Sequence, residues 1–350
     1  MKIDKHIEIV GSNNPQLSAM TPSSRQTILD VLRKHYTRVS ITIVENVADL
    51  EALVAKQPDL VILGMKFVLL DPTLGYEDSP KIWLSAYLDS HDIASTGSDA
   101  KAMALQLDKH VAKQTVLDAG LQSSAYFISS INNPSFLHNL TFPLFVKPAN
   151  RGGSSGIDEQ SVVYTDAELQ AKITSLHDTY ASDVLIEEYL AGREFSVAVI
   201  KQSVSGELVA MPIEIRTPAD TQGNRFLSSA VKEADLEKVL ALDDPLLKAA
   251  VGTFAIAAFK ALSSRDFGRI DMRLDAQGMP SFIEANLMPG LSNHGYLFRC
   301  LNLNAGITYD DMILSIVDVS LQRSLAGSLQ ATEGTNVAPI PSVRVQPLAS

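Results

Sequence analysis

Cysteine is almost missing from this sequence. Cys300 is the only one in 350 residues, so no disulfide can close within a chain. That fits a reducing compartment. Cys300 lies in the apolar stretch Tyr296-Leu-Phe-Arg-Cys-Leu301, where a buried, inert thiol is expected rather than a nucleophile. Positive charge is also short. The 29 Lys and Arg against 40 Asp and Glu leave a net charge of −11. Broad binding to nucleic acid or to an anionic membrane is thereby disfavoured, while a local basic pocket for phosphates stays possible. No run reaches the ~18 apolar residues of a membrane span. No signal-peptide core follows Met1-Lys-Ile-Asp-Lys-His6, and no internal repeat is visible. The expectation is a cytoplasmic protein with no membrane and no nucleic acid among its partners.

What is present is ordinary globular material, 46% hydrophobic and 20% charged, long enough for two or three compact units. Strand patterns at Ile7–Val10, Ser40–Val44 and Asp59–Leu63 alternate with helical patterns at Ser24–His35 and Val47–Ala55. Such alternation predicts a parallel sheet covered by helices. A second segment starts near Ser98, with Ser98-Asp-Ala-Lys as its N-cap region and Ala119-Gly120 as its stop. Strands follow at Pro143–Pro148, Asp183–Glu187 and Glu194–Ile200, then a long amphipathic helix at Pro245–Leu262. Two strands joined by a turn, Gly268–Leu274 and Ser281–Asn286, precede a closing helix at Tyr309–Arg323. From about residue 326 the chain turns Ala/Ser/Thr/Pro-rich, so 326–350 is expected to be a mobile tail.

The most informative stretch runs from Gly268 to Asn286. Strand side chains alternate, so Arg269, Asp271 and Arg273 share one face, and Glu284 and Asn286 share another. A four-residue turn at Ala276–Met279 would put Asp271 opposite Glu284 and Arg269 opposite Asn286. Directly opposed carboxylates repel. A divalent cation relieves that conflict, and two carboxylates with one amide oxygen suit Mg²⁺. Taken alone, the same hairpin also fits a solvated polar face whose arginines neutralise the acids.

Arg151-Gly-Gly-Ser-Ser-Gly156 follows a strand that carries Lys147. Glycine lets backbone N–H groups come close to phosphate oxygens, and Ser154, Ser155 and Lys147 add donors and charge. The loop fits neither the P-loop nor the Rossmann spacing, and a flexible surface turn is the bland alternative. Lysine inside an apolar strand is the less usual feature. Lys109 and Lys113, read singly, fit ordinary exposed helix positions. Glu187, Glu188 and Glu194, around the linker between two strands, fit either surface acids or a segment that pairs with a base and a ribose.

In their order and spacing these pieces resemble the ATP-grasp superfamily, and within it the D-alanine–D-alanine ligases. The matching stretches are Ser98–Gly120, Phe142–Ile157, Leu185–Val199 and Phe267–His294. The resemblance implies a three-domain α/β fold: an N-terminal parallel-sheet domain at 1–97, a central unit at 98–188 and a C-terminal unit at 189–325, with ATP held between the last two. It implies that Lys109 and Lys147 meet the ATP phosphates and that Ser154 lies in the loop closing over them. Glu187, Glu188, Tyr189 and Leu190 match the segment that holds adenine, and Glu194 the ribose-binding acid. Asp271, Glu284 and Asn286 match the metal ligands, for Mg²⁺ with Mn²⁺ as an alternative. Arg269 matches the arginine that stabilises the acyl phosphate, and Gly290 a backbone donor to the oxyanion. The implied chemistry is ATP-dependent joining of a carboxylate to an amine through an acyl phosphate, on small amino-acid-like substrates, in a homodimer.

The substrate half departs from the family pattern. The N-terminal Gly-Gly-x-Ser-x-Glu motif is replaced by Val10-Gly-Ser-Asn-Asn-Pro-Gln-Leu-Ser18, so the acid expected to hold the first substrate's ammonium has no match. The His-Gly…Gly-Glu-Asp-Gly segment is reduced to Leu74-Gly-Tyr-Glu-Asp-Ser-Pro80, and the Tyr-Lys pair of the mobile loop has no counterpart in Ile213–Gly223. Gly295 stands where the family has a serine for the second substrate's carboxylate, with His294, Tyr296 and Arg299 nearby to compensate. Weak use of D-alanine, and preference for a larger or differently charged substrate, are therefore expected. A ligase for another amino acid or amino-substituted metabolite remains open, as does a catalytically silent nucleotide-binding protein. Intact Arg269, Asp271, Glu284 and Asn286 argue against silence.

Overall fold

The computed structural model describes residues 1–333. Its first sheet is parallel throughout. Ile3–Gly11 pairs on one side with Tyr36–Ile43 and on the other with Leu60–Leu63, and Ala94–Ser95 adds beyond the last. Ile7, Ile9, Val10 and Leu60–Leu63 are all buried, as expected of parallel strands covered on both faces. Of the covering helices, Val47–Ala55 starts where the sequence reading puts it and Pro22–His35 two residues earlier than the expected Ser24. Pro22–His35 is capped by Thr21, which accepts from the Ser24 N–H, and Val47–Ala55 by a reciprocal Asn46/Asp49 capping box.

The next sheet has the order Tyr126–Ser129, Val184–Glu188, Leu144–Pro148, Val162–Val163, and helix Asp166–Tyr180 covers it. A five-stranded antiparallel sheet follows, in the order Lys238–Ala241, Leu208–Arg216, Glu194–Lys201, Phe267–Leu274, Pro280–Asn286. Its strands show the period of two plainly. Phe195, Val197 and Val199 face helix Pro245–Ala261, while Ala198 on the other face joins Leu297, Cys300 and Leu301 of helix Tyr296–Ala305. Helices Ala100–Leu107 and Lys109–Asp118 also belong to this layer. Sequence order groups them with the central unit, but Ala102, Ala112 and Val116 pack among Phe282, Ala285 and Leu287. Ser123 forms a bridge with Phe282 just beyond them. The first of these helices is capped by Asp99, one residue later than the sequence suggests.

The closing helix runs Tyr309–Glu333 and so continues past the position where the tail was expected to begin; residues 334–350 lie outside the described residues. Its Arg323 ties the helix to the rest of the fold. The Asp266 carboxylate is buried and accepts from Arg323 Nε and Nη2 at 2.9 Å each, from Ser320 at 3.2 Å and from the Gly97 N–H at 3.1 Å. Arg323 also donates to the Ser95 carbonyl at the end of the parallel sheet. One carboxylate thus ties the N-terminal sheet, the last helix and the strand Phe267–Leu274. Among the described residues no helix is long and apolar enough to cross a membrane.

This knot should be costly to break from one side. Arg323→Met leaves a buried, unpaired carboxylate, and a loss of about 3 kcal/mol in urea unfolding is expected. The double change with Asp266→Asn should cost less than the single one, because the orphaned charge is then gone. A single variant as stable as the parent would rule the tie out as a stabilising contact.

Candidate functional site

The strand pair Phe267–Leu274 and Pro280–Asn286 sets the site. Asp271 lies opposite Glu284 and Arg269 opposite Asn286, as the alternation predicts. The reason differs from the predicted four-residue turn. Pairing resumes at Met272 with Phe282, so Ile283 is an extra residue, and the loop begins one position earlier. Asp275 organises that loop by accepting from the N–H groups of Gln277 and Met279. The bulge and the longer loop cancel, and the acids meet. Bulges of this kind re-aim side chains beside functional sites.

The two acids are not equivalent. Arg269 grips Asp271 with Nε at 2.9 Å and Nη2 at 2.8 Å, and Ser196 on the neighbouring strand donates to it at 2.6 Å. Glu284 has no hydrogen bond or ion pair among the described residues. Its charge is instead felt by Lys66, Lys109, Lys147, Lys232 and Arg269. Burial works against the Arg269 cation, but Asp271 and Glu284 more than restore it, and its pKa is raised.

A second cluster lies on the central sheet. Lys147 and Glu187 are diagonal neighbours on adjacent strands, with Lys147 opposite Leu185. Glu187 takes Lys147 at 2.6 Å on one oxygen and Lys113 at 2.8 Å on the other, with Ser124 donating at 3.1 Å. All three charged groups are buried. Burial would raise the Glu187 pKa, yet Lys113 and Lys147 hold it down to about 2. Burial lowers both lysines. Lys147 nonetheless ends raised, because Glu187, Glu284 and Glu194 all act on it, whereas Lys113 stays lowered with Glu187 as its acid and Lys147 repelling it. Lys113 is therefore no exposed helix residue. Neither is Lys109, which burial depresses to about 8 and which donates to the Arg151 carbonyl of the glycine-rich loop.

Two adjoining cavities collect most of the nominated residues. The smaller, about 100 Å³, is lined by Lys147, Ser154, Glu187, Glu188, Tyr189, Leu190 and Glu194 with Arg269, Asp271 and Glu284. The larger, about 1100 Å³, is lined by Lys109, Asn286 and Gly290, by the loop 150–153, and by His294, Tyr296 and Arg299. Lys232, Arg269, Glu284 and Tyr296 line both and mark the junction. Burial raises the Glu194 carboxyl, only partly offset by Arg273 at 3.9 Å. Glu188 accepts from the Thr141 N–H at 2.9 Å, and the Tyr189 ring stacks on Phe145 with Arg273 5.2 Å from its centre.

The smaller cavity is roofed. Ser154 has φ +66°, and its hydroxyl donates to the Leu227 carbonyl at 2.8 Å, while Ser229 donates back to the Ser154 carbonyl at 2.8 Å. Gly156 is required at the base of the loop: its φ is +74°, and a Cβ there would stand 2.8 Å from Pro148. The glycine-rich loop and the segment after Thr217 thus latch over one another.

Several cavity residues escaped the sequence reading. Lys232, in the helix Ser229–Glu233, has a pKa lowered by burial, with Glu284 opposing. Lys66, from the N-terminal domain, is pushed down to about 8 by burial and by Lys109. Ser292 is the third. At Gly295 an added Cβ would sit 3.2 Å from the Ser292 hydroxyl, so a hydroxyl returns near the place where Gly295 lacks one. A lone Lys or Ser in a loop carries no local signal of such a position. Cys300 is buried as expected, its thiol pushed up to about 12 by burial.

The profile of the family described as "D-ala D-ala ligase C-terminus" matches residues 127–318. The uncharacterized protein y4sG of Sinorhizobium fredii is 31% identical over 245 residues, covering 68% of this chain and 69% of its own. D-alanine–D-alanine ligase A of Mesorhizobium japonicum is 31% identical over 279 residues, covering 77% and 73%. The crystal structure of D-alanine–D-alanine ligase from Bacillus anthracis complexed with ATP matches with a TM-score of 0.66 at 21% identity, over 92% of this chain and 99% of that one. The VanG D-Ala:D-Ser ligase of Enterococcus faecalis matches at 0.64 and 20% identity, over 91% and 100%. The three-layered arrangement described above is the ATP-grasp fold.

The lysine pair around Glu187 yields a stability test. Glu187→Gln leaves two buried ammonium groups without their counter-charge, and a loss of about 3 kcal/mol is expected at neutral pH. A depressed carboxyl stabilises above its unfolded pKa of 4.5 and loses that contribution as pH falls toward about 2. The gap between parent and variant in urea unfolding should therefore be full at pH 7 and close between those two values. A gap that stays constant into acid would show that the ion pairs contribute nothing.

Proposed function

This chain belongs to the D-alanine–D-alanine ligase family of ATP-dependent carbon–nitrogen ligases, and from that premise we propose that it activates a small substrate carboxylate with ATP and couples it to an amine. The observation that carries the reading is the junction between the cavities. Arg269, Lys232, Glu284 and Tyr296 face both, so groups bound in the smaller one meet groups bound in the larger one there.

The roles follow from position. The smaller cavity takes the nucleotide. Glu188, Tyr189 and Leu190 line the adenine end, and Glu194 receives the ribose hydroxyls. Glu187, whose carboxylate is committed to Lys113 and Lys147, holds Lys147 toward the phosphates more than it contacts the base. Lys109, tied to the glycine-rich loop, supports the phosphates from the other side, and Ser154 latches that loop shut. The acid lies in the larger cavity with its carboxylate at the junction. One carboxylate oxygen attacks the γ-phosphorus, the bond to ADP breaks, and an acyl phosphate forms. An amine then attacks the acyl carbon, and the carbon–oxygen bond to phosphate breaks. Arg269, fixed by Asp271, places a positive charge where the acyl oxygen becomes negative. In the described structure no hydrogen bond takes up the Gly290 N–H, which lines the same cavity and is free to donate there.

Glu284, without a partner of its own, Asn286 on the same face and Asp271 across from it form an oxygen donor set that fits a divalent cation. They would hold Mg²⁺ or Mn²⁺, which when bound neutralises phosphate charge. Use of an acid other than D-alanine is part of this proposal, because the acid of the family's N-terminal motif is replaced; at Gly295, where the family pattern has a serine, the Ser292 hydroxyl stands close by.

Glu284→Gln separates this role from a structural one. ADP release from ATP and Mg²⁺, scored over a panel of amino acids and dipeptides, should fall about 100-fold or more. The variant should still unfold cooperatively and with only a modest loss in melting temperature, since the cations around Glu284 lose a shared counter-charge while Asp271 loses an opposed like charge. Unchanged turnover would remove Glu284 from the metal site, and no ADP release from the parent with any acid would end the ligase reading.

A further inference from the structure

Two ammonium groups in the site have no hydrogen bond and no ion pair among the described residues. Lys232 lines both cavities and faces Glu284, Asp271 and Glu194, so the nucleotide end accounts for it. Lys66 lines the larger cavity alone. It follows the central parallel strand Leu60–Leu63 and directly precedes Phe67–Leu69, whose pairing with Lys81–Trp83 fixes the backbone. The Leu84 N–H donates to the Lys66 carbonyl at 2.9 Å. Lys66 is therefore held by paired main chain on an N-terminal wall that also includes Ser18, Ala19 and Tyr76. It is the one charged side chain that wall presents among the described residues.

Its surroundings do not neutralise it. Lys109 repels it across the cavity, and Glu284 is the acid that offsets it. That acid already serves four other cations. Among the described residues that line this cavity, Lys66, Lys109 and Lys232 share Glu284, while Arg269 is held by Asp271, Asp235 lies near Arg299 at 3.9 Å and Glu237 accepts from the Tyr296 hydroxyl at 2.7 Å. A substrate ammonium placed against this wall would meet Lys66 and Lys109, like charges in a partly desolvated site. An anion placed there would gain charge-assisted hydrogen bonds from a donor that has no other acceptor among the described residues.

We propose that Lys66 anchors a second anionic group on the acid that is activated, so that the first substrate is a dianionic acid and not a simple α-amino monocarboxylate. The assignment rests on the ligase reading and names the substrate class for it. One carboxylate of the substrate lies at Arg269 and is phosphorylated. The other anion, a carboxylate or a phosphonate, lies at Lys66 and takes no part in bond making.

Hydroxylamine as the amine lets the acid be tested apart from the natural acceptor. It attacks the acyl phosphate at carbon, expels phosphate and leaves a hydroxamate that can be measured beside ADP. The panel is D-alanine, succinate, glutarate, both aspartate enantiomers and 3-phosphonopropionate, with the full chain, ATP and Mg²⁺. At least one dianionic acid should exceed D-alanine in kcat/KM by roughly tenfold or more, as a charged hydrogen bond allows. The carboxylate and phosphonate arms show which anion fits. In Lys66→Met that ratio should fall by about thirtyfold, and in Lys66→Glu it should invert toward ammonium-bearing acids. D-alanine preferred by the parent overturns the inference and leaves the ligase reading standing, and the parent panel decides this whether or not the variants fold. An equal loss for every acid in Lys66→Met, with melting unchanged, also overturns it, because Lys66 would then serve the phosphates. No ADP and no hydroxamate with any acid overturns the ligase reading itself, and the inference with it.

Discussion

Glu284 faces Asp271 across one pair of strands, and the backbone gives neither acid a way out. Asp271 is answered locally by Arg269 and Ser196. Glu284 is left as a common counter-charge, and five cationic side chains from the N-terminal, central and C-terminal parts feel it. Those cations cannot be withdrawn without exposing the acid, and the acid cannot be removed without leaving them to repel one another. The site is therefore electrostatically one object, although its members come from separate sheets. An excess of positive charge remains after this balance, in a chain whose overall charge is negative. Polyphosphate and substrate anions are the groups that can complete it.

The parts legible in the sequence are those whose position follows from a short period. Alternation along Gly268–Leu274 and Ser281–Asn286 put Asp271, Glu284, Arg269 and Asn286 together, and the register was right although the turn behind it was not. The bulge at Ile283 cannot be read from composition, because Ile fits a regular strand equally well. The strand carrying Lys147 is equally local. Lys113 shows the opposite case. Its helix gives it an ordinary exposed-looking place, and only the arrival of Glu187 from a strand more than seventy residues later, 2.8 Å away, makes it buried and paired. Lys232 and Lys66 escaped for the same reason. What makes them functional is a cavity, and a cavity has no sequence period. The closing helix runs past its expected end, which the sequence does not show because residues 324–333 are poor in large apolar side chains and so carry no helical period.

On the proposed roles, the substrate is met by loops and strand ends of the N-terminal domain and of the segment before helix Tyr296–Ala305, whereas Lys147, Glu187, Arg269, Asp271 and Glu284 stand on paired strands. Paired strands change little without loss of the fold, and loops change freely. That division fits the resemblance read from the sequence, in which Lys109, Lys147 and the acid hairpin match the family pattern and the N-terminal motif does not.

The replacements on the two sides of the larger cavity differ in kind. At Gly295 the change is conservative in outcome. A side chain there would crowd the Gly290 carbonyl at 3.1 Å and Ser292 at 3.2 Å, so glycine is what the local backbone accepts, and the Ser292 hydroxyl stands close by. The acceptor side thus keeps a hydroxyl from a different position. On the N-terminal wall the change reverses a charge. By the resemblance the family pattern places a carboxylate there to meet an ammonium, and among the described residues this wall presents Lys66. A shifted hydroxyl preserves the chemistry of recognition, but a reversed charge cannot, since the same ligand group would gain from one sign and lose to the other. On the proposed role of Lys66, the first substrate is therefore where this chain parts from the family pattern, and the ATP site balanced on Glu284 need not change for it to do so.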